Sequence, residues 1–330
     1  MNNMMFGGYA GKGIVACLYL QFGEGGIAMH AEDNRRVMTG ILLAIGAYIA
    51  YPMGDAMVKA ISNDFPGTGI SALRYVFSTI VLGIASYCYD PIAFRKFPRP
   101  LLQIGRGAMV SFSTATFFVA LGFLPLGAAT VIMYLNPVII VILSSLFLGE
   151  KVPKVAWVAT LVAFLGVIIV IRPNIITIGW VGLLPLVTAL CMAIFIILNR
   201  LGAGLSSIIH AQFLISLCAM VISSVLAICG HFSGIERLHL FMPSMHVLLG
   251  CAFVAMTATA AHGFIIMAAE RVEAGRIAPF AYTQLLVAVL LGVVFFRDRL
   301  DAMTLLGGAM IVGAGLATWK AQRKGADRRN

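Results

Sequence analysis

The chain has 330 residues, 61% of them apolar and only 11% charged, with a net charge of +10 and a mean hydropathy of +0.98. Soluble domains carry about 25% charged residues, so this composition excludes a single water-soluble core. In a soluble protein the positive charge would suggest nucleic acid; here it gathers at the ends of apolar runs, where it reads as membrane topology.

Residues 1–35 come first and stand apart. Their apolar piece IVACLYLQF is too short to span a bilayer and is followed by GEGG without a small-residue cleavage pattern. A flexible tail is expected, with Met29 or Met38 as alternative translation starts. Ten apolar runs follow, near 37–61, 68–89, 101–122, 126–148, 155–171, 179–199, 205–229, 245–268, 275–296 and 301–320. Each approaches the roughly 20 residues that cross the hydrocarbon core as a helix. Ala, Leu, Ile, Val and Gly fill them without strict alternation, so helices are predicted rather than barrel strands. The fold class is an all-α membrane protein with ten transmembrane helices, closed by a basic tail at 321–330.

With the N-terminus inside and ten alternating spans, sixteen of the 23 Lys and Arg residues fall inside and four (Arg172, Arg237, Arg297, Arg299) outside. That imbalance predicts cytoplasmic N- and C-termini in a bacterial cytoplasmic membrane. Lys59, Arg74 and Arg106 lie within spans. The six cysteines and six histidines show no metal-ligand spacing, so neither a metal nor a cofactor is expected.

The chain repeats itself at an offset of 148. FLPLGAATVIMYLNPVIIVILSSLFLGEK (123–151) lies over RVEAGRIAPFAYTQLLVAVLLGVVFFRDR (271–299) without a gap. Tyr134 meets Tyr282, Asn136 meets Gln284, and Glu150 meets Asp298. Two halves are predicted, 36–173 with spans 1–5 and 174–320 with spans 6–10. An odd number of spans per half inverts the second relative to the first, the pattern of many secondary transporters. Four prolines lie inside spans: Pro52, Pro137, Pro185 and Pro279. Spans 1 and 6 are repeat partners, as are spans 4 and 9. A proline removes a backbone hydrogen bond and bends a helix, and helices interrupted at corresponding places in two halves point to a transport site. All four are therefore candidate helix breaks.

These segments resemble the EamA-type repeats of the drug/metabolite transporter superfamily. PLGAATVIMYLNPVIIVILSSLFLGEKVPKVAWVATLVAFLGVIIVIRP (125–173) is similar to the first repeat and APFAYTQLLVAVLLGVVFFRDRLDAMTLLGGAMIVGAGL (278–316) to the second, with FRDR in place of the LGEK turn. GDAMVK (54–59), ALRY (72–75) and PLLQIGRGAMV (100–110) are similar to bacterial members that carry metabolites such as S-adenosylmethionine or riboflavin. The resemblance covers roughly residues 39–320. It implies a central cavity lined by spans 1, 3, 4, 6, 8 and 9, with spans 5 and 10 as scaffold.

A charged side chain at a helix centre costs about 2.5–3.5 kcal/mol on insertion scales and is tolerated facing a cavity or a partner. Asp55 and Lys59 are four residues apart on one face of span 1. Either they pair, with Lys59 snorkelling outward, or they hold substrate; Asp55 is also a candidate for a coupling proton. Arg106, in a span expected to line the cavity, is a substrate candidate. For Arg74, anchoring at the span end is the stronger alternative. Gln212 stands where the repeat would place a second Arg74. His262 is a weaker candidate, because a lone histidine in an apolar helix is more often simply packed. Tyr134, Tyr282, Asn136 and Gln284, close to prolines in spans 4 and 9, suit an organic solute; helix–helix hydrogen bonding is the competing role.

A mostly cationic lining predicts a small solute that is anionic or zwitterionic. The expected function is a secondary transporter working by alternating access, not an enzyme. The chain contains no P-loop GxxxxGK[ST], so ATP is not its driver. The alternatives are an intramembrane or interfacial lipid-modifying enzyme and a passive channel, for which catalytic spacing and filter-like rings are missing. The expected partners are the bilayer and a small molecule, not nucleic acid; a homodimer is left open.

Overall fold

A computed structural model describes residues 37–136, 139–140, 142–143, 157–159, 161–169, 179–202, 204–269, 271, 278–299 and 302–327. All regular elements among them are helical. We number the principal helices α1 (Val37–Ile61), α2 (Gly67–Tyr89), α3 (Pro100–Leu121), α4 (Leu126–Met133), α5 (157–169), α6 (Leu184–Leu201), α7 (Ile208–His231), α8 (Met245–Ala269), α9 (Tyr282–Phe296) and α10 (Ala302–Asp327). Six of them (α1, α2, α3, α6, α7 and α8, the α6 span reckoned from Gly179) are long and apolar enough to cross a membrane. Shorter apolar stretches lie in α5, α9 and α10. Ile80 and Ile84 on α2, and Val221, Val225 and Ile228 on α7, are exposed. In a membrane protein such side chains face lipid.

Local chemistry sets the helix ends. Pro66, Pro100 and Pro125 stand at helix starts, where the missing N–H costs nothing. Ser207 caps α7 by accepting from the His210 amide. Span 4 stops being α-helical at Tyr134 and Leu135, immediately before Pro137, which itself lies outside the described residues. Its repeat partner begins as a tighter 3₁₀ turn, Ala278–Ala281, holding Pro279, and becomes α-helical at Tyr282. The other two prolines behave differently from expectation. α1 runs helical straight through Pro52. Pro185 sits in the first turn of α6, after the 3₁₀ turn Gly179–Leu183, where a proline is accommodated without breaking anything.

Three helix pairs pack antiparallel. Ser71, Thr79 and Ser86 on α2 hydrogen-bond in turn to Ser223, Ser216 and His210 on α7 at 3.3, 3.0 and 3.0 Å. Arg106 and Ser113 on α3 meet Asn199 and Thr188 on α6. On the third pair, Leu126 and Tyr134 of span 4 meet Asp298 and Ala281 of span 9.

The two ends of the bundle differ. At the end where α1 finishes and α2 begins, Val58, Ile61, Phe65, Ile70, Phe118, Leu121, Leu126 and Val247 form one buried cluster. A surface cavity of about 410 Å³ lies beside that cluster, lined by Ser62, Phe65, Gly122 and Arg237 among others, whereas towards the opposite end, where α2 finishes and α3 begins, α2, α7 and α8 line a cavity of about 490 Å³.

Candidate functional site

The cavity is lined mainly by α2, α7 and α8, with Val110 from α3 and Phe195 from α6. Among the described residues, none from spans 1, 4 or 9 reaches its wall. The lining thus departs from the set that the family resemblance implied. Arg74 enters it from α2 and His262 from α8. Arg74 Nη2 donates to the Tyr75 hydroxyl at 3.3 Å, and the guanidinium lies 4.5 Å from the Tyr75 ring centre and 5.7 Å from that of Phe118. Its Nε–H is buried with no hydrogen-bond partner among the described residues. Tyr75 is itself held by Thr114 at 2.8 Å and by the Val110 carbonyl at 3.3 Å. Arg74 therefore rests on a fixed aromatic floor, touches no carboxylate among the described residues, and has donor capacity to spare.

Behind His262 lies a polar cluster. Tyr51 and His262 Nδ1 are 2.8 Å apart, their rings edge to face. Asp55, one turn further along α1, has no hydrogen-bond or ion-pair partner among the described residues. It lies within electrostatic reach of Arg74, as do Tyr51 and His262. Tyr134 is in reach of Asp55 and of Tyr48. Its hydroxyl donates to the Ala281 carbonyl and its ring centre lies 5.8 Å from that of Tyr282. The two tyrosines matched by the repeat thus meet where spans 4 and 9 lose α-helical geometry. Asn136 and Gln284 are half-buried nearby in sequence, and their side chains take no hydrogen bond among the described residues.

Two sequence-level pairings are corrected here. Lys59 does not pair with Asp55. Its Nζ reaches both carboxylate oxygens of Asp298, at 2.8 and 2.7 Å. Asp298 Oδ2 also accepts the Leu126 amide at 3.0 Å, capping α4, which has no capping side chain of its own. Gly292 makes room: a Cβ there would lie 2.9 Å from Asp298 Oδ2. One carboxylate therefore joins the ends of spans 1, 4 and 9, and the pair is largely buried, with 14% and 11% of the side chains exposed. Arg106 is the second correction. It is 6% exposed and does not open on the cavity. Its Nε donates to Asn199 at 2.6 Å and its Nη1 to Gln103 at 3.1 Å, while its guanidinium packs where a Gly202 side chain would stand. This arginine is a bolt between α3 and α6.

The sequence reading missed Tyr51, Tyr75, Asn199 and the capping role of Asp298. Tyr51 carried a signal, lying one helical turn before Asp55 on the same face. Asn199 and Asp298 carried none, since their partners lie 93 and 239 residues away.

Comparison with known proteins agrees with this architecture. The EamA-like transporter family matches residues 38–172 and 179–318. The S-adenosylmethionine uptake transporter of Rickettsia felis is 24% identical over 297 residues, covering 89% of this chain and 96% of that protein. The pseudopaline exporter CntI of Pseudomonas aeruginosa is 24% identical over 289 residues, covering 86% and 97%. The riboflavin transporter of Rhizobium johnstonii is 23% identical over 288 residues, covering 87% and 92%. A crystal structure superposes over 87% of this chain and 98% of its own, at a TM-score of 0.57 and 18% identity, a likeness of fold alone.

Proposed function

Because the chain belongs to the EamA-like transporter family, we propose that it moves an organic solute with an anionic group across a bacterial cytoplasmic membrane by alternating access. That it is a multi-pass secondary transporter of small metabolites, rather than an enzyme, follows from the family and its relatives. The anionic group is our reading, and Arg74 carries it. A guanidinium with an unpartnered buried N–H, open to a cavity and touching no carboxylate, suits a carboxylate or phosphate, which it can bind through two parallel hydrogen bonds. A zwitterion is the second reading, favoured by one observation: Asp55 lies within reach of the same arginine.

The mechanism follows from the difference between the two ends. With both termini cytoplasmic, as the charge imbalance argues, the packed end is extracellular and the cavity faces the cytoplasm. The Lys59–Asp298 pair and the cap on α4 hold the extracellular end shut. Opening that end requires the pair to part while the opposite end closes. The antiparallel packing of spans 2 with 7 and 4 with 9 is the orientation that two inverted five-span halves demand. Halves 36–173 and 174–320 then exchange conformations to move the site from one face to the other.

The test is counterflow in vesicles containing the full chain, with a panel of labelled organic anions, zwitterions and neutral metabolites. A saturable counterflow of anions that Arg74→Gln lowers roughly 10- to 100-fold and Arg106→Gln spares is expected. Counterflow confined to neutral or cationic solutes, unaffected by Arg74→Gln, would overturn the anionic reading.

A further inference from the structure

Resting on the reading that this cavity holds the cargo, we infer that the cargo is an elongated amphipathic monoanion: one acid group at Arg74 and a bulky, apolar, ring-bearing body along α2, α7 and α8. The charge inventory of the wall comes first. Among the described residues, Arg74 is the only Lys, Arg, Asp or Glu lining the cavity. One fixed cation neutralises one anionic group. A second charge on the cargo would stand in a low-dielectric space without a partner, and such a group is strongly disfavoured.

Length and surface come next. Arg74 and Tyr89 both line the cavity from α2. At 1.5 Å of rise per residue they lie about 22 Å apart along the helix, far longer than a carboxylate or phosphate needs. Between those levels the wall is mostly apolar, with Leu82, Val110, Phe195, Ile215 and Ile266, and its polar members are few, Ser78, Gln212 and Thr259 beside Ser216, which is bonded to Thr79. A small, fully hydrated anion would forfeit more water against this belt than those few groups return. An apolar body buries surface there instead. A cavity of about 490 Å³ is of the size that accommodates a drug-like organic molecule. Asp55 is absent from the wall, so an ammonium beside the acid group would find no carboxylate at contact distance within the cavity.

The experiment uses the full chain in nanodiscs and thermal stabilisation by four probes. They are 2-naphthylacetate, its neutral amide, succinate as a compact dianion, and 3-(2-naphthyl)alanine as a zwitterion. Wild-type protein, Arg74→Gln and Arg74→Lys are compared. Naphthylacetate is expected to stabilise the wild type at a concentration at least tenfold below the other three. Arg74→Gln should erase that gap and Arg74→Lys restore part of it, which also separates loss of binding from loss of folding. If succinate matches naphthylacetate and Arg74→Gln abolishes both, the apolar body is wrong and the anionic reading survives. Equal stabilisation by acid and amide in the wild type and in Arg74→Gln would overturn both. Preference for naphthylalanine would replace the monoanion by a zwitterion, and no stabilisation by any probe would overturn the inference.

Discussion

Arg74 and Arg106 enter apolar helices at similar distances from a helix end, yet their surroundings are opposite. Arg106 donates through Nε and Nη1 to two neutral acceptors, Asn199 and Gln103, and the Asn199 bond ties α3 to α6. Arg74 stacks on two rings, keeps one buried N–H unpartnered and opens on a cavity. The lesson is that depth in the membrane says little about the role of a buried charge. What decides is whether its donors are already spent. A satisfied arginine contributes to rigidity, whereas an unsatisfied one beside a cavity is held ready for a ligand.

The sharpest way to break that comparison is to neutralise each arginine in turn. Arg74→Gln removes a charged hydrogen-bond donor worth about 1.5–3 kcal/mol, so saturable uptake should fall roughly 10- to 100-fold. Its melting temperature should fall less than that of Arg106→Gln, because the one acceptor that loses a charged donor, the Tyr75 hydroxyl at 3.3 Å, keeps its bonds to Thr114 and the Val110 carbonyl. Arg106→Gln should do the reverse. It strips the charged donor from Asn199 and Gln103, at a cost of about 1–3 kcal/mol of stability. Uptake per folded molecule should stay within about threefold, since the change does not touch the cavity wall. Thermal melts and vesicle counterflow on the same preparations separate the two outcomes. Equal loss of transport from both substitutions would end the distinction.

A smaller effect is expected at the latch. Asp298→Asn keeps the shape that caps α4 while removing the counter-charge of Lys59. The pair is largely buried, so losing the counter-charge costs more than the roughly 1 kcal/mol of a surface pair and changes a two-state population at least about fivefold. A cysteine placed at Leu124, buried in the cluster at the closed end, should then label several-fold faster with a membrane-impermeant maleimide. Unchanged labelling would mean that apolar packing alone closes this end.

The parts of the molecule legible in the sequence are those set by local physics. Apolar runs of bilayer length announce spans because hydrophobic thickness is a property of the lipid, and six of the ten predicted runs are helices long and apolar enough to cross a membrane among the described residues. The matched tyrosines Tyr134 and Tyr282 came to light because two equivalent segments carry them, and they meet at 5.8 Å. Proline alone was a poorer guide. Pro279 lies in a 3₁₀ turn, while Pro52 is absorbed within α1, because neighbouring helices decide whether a missing N–H becomes a break. Partner choice was the least legible. Asp55, four residues from Lys59, was the local expectation, and the true partner arrives from the far end of span 9. Helix rotation and packing select it, and neither is encoded in a single span. The same limitation hid from the sequence that Arg74 lines the cavity and that Arg106 does not.

A single neutral hydrogen bond tests how far the readiness of Arg74 extends into the cluster behind it. Tyr51→Phe deletes one hydrogen bond to His262 and leaves the ring contact in place. A neutral hydrogen bond contributes about 0.5–1.5 kcal/mol, so apparent affinity should weaken by roughly two- to tenfold. The maximal rate should hold, because Tyr51 touches no cavity surface and acts only by fixing the His262 ring. His262→Ala then becomes informative alongside it. If Tyr51 works through His262, adding Tyr51→Phe to His262→Ala has no further effect, whereas an additive loss would show that Tyr51 acts on Asp55 or Arg74 directly. Additivity would also shift the centre of the binding site from the α8 wall towards α1, and with it the balance between an anionic cargo and one that also presents a positive charge.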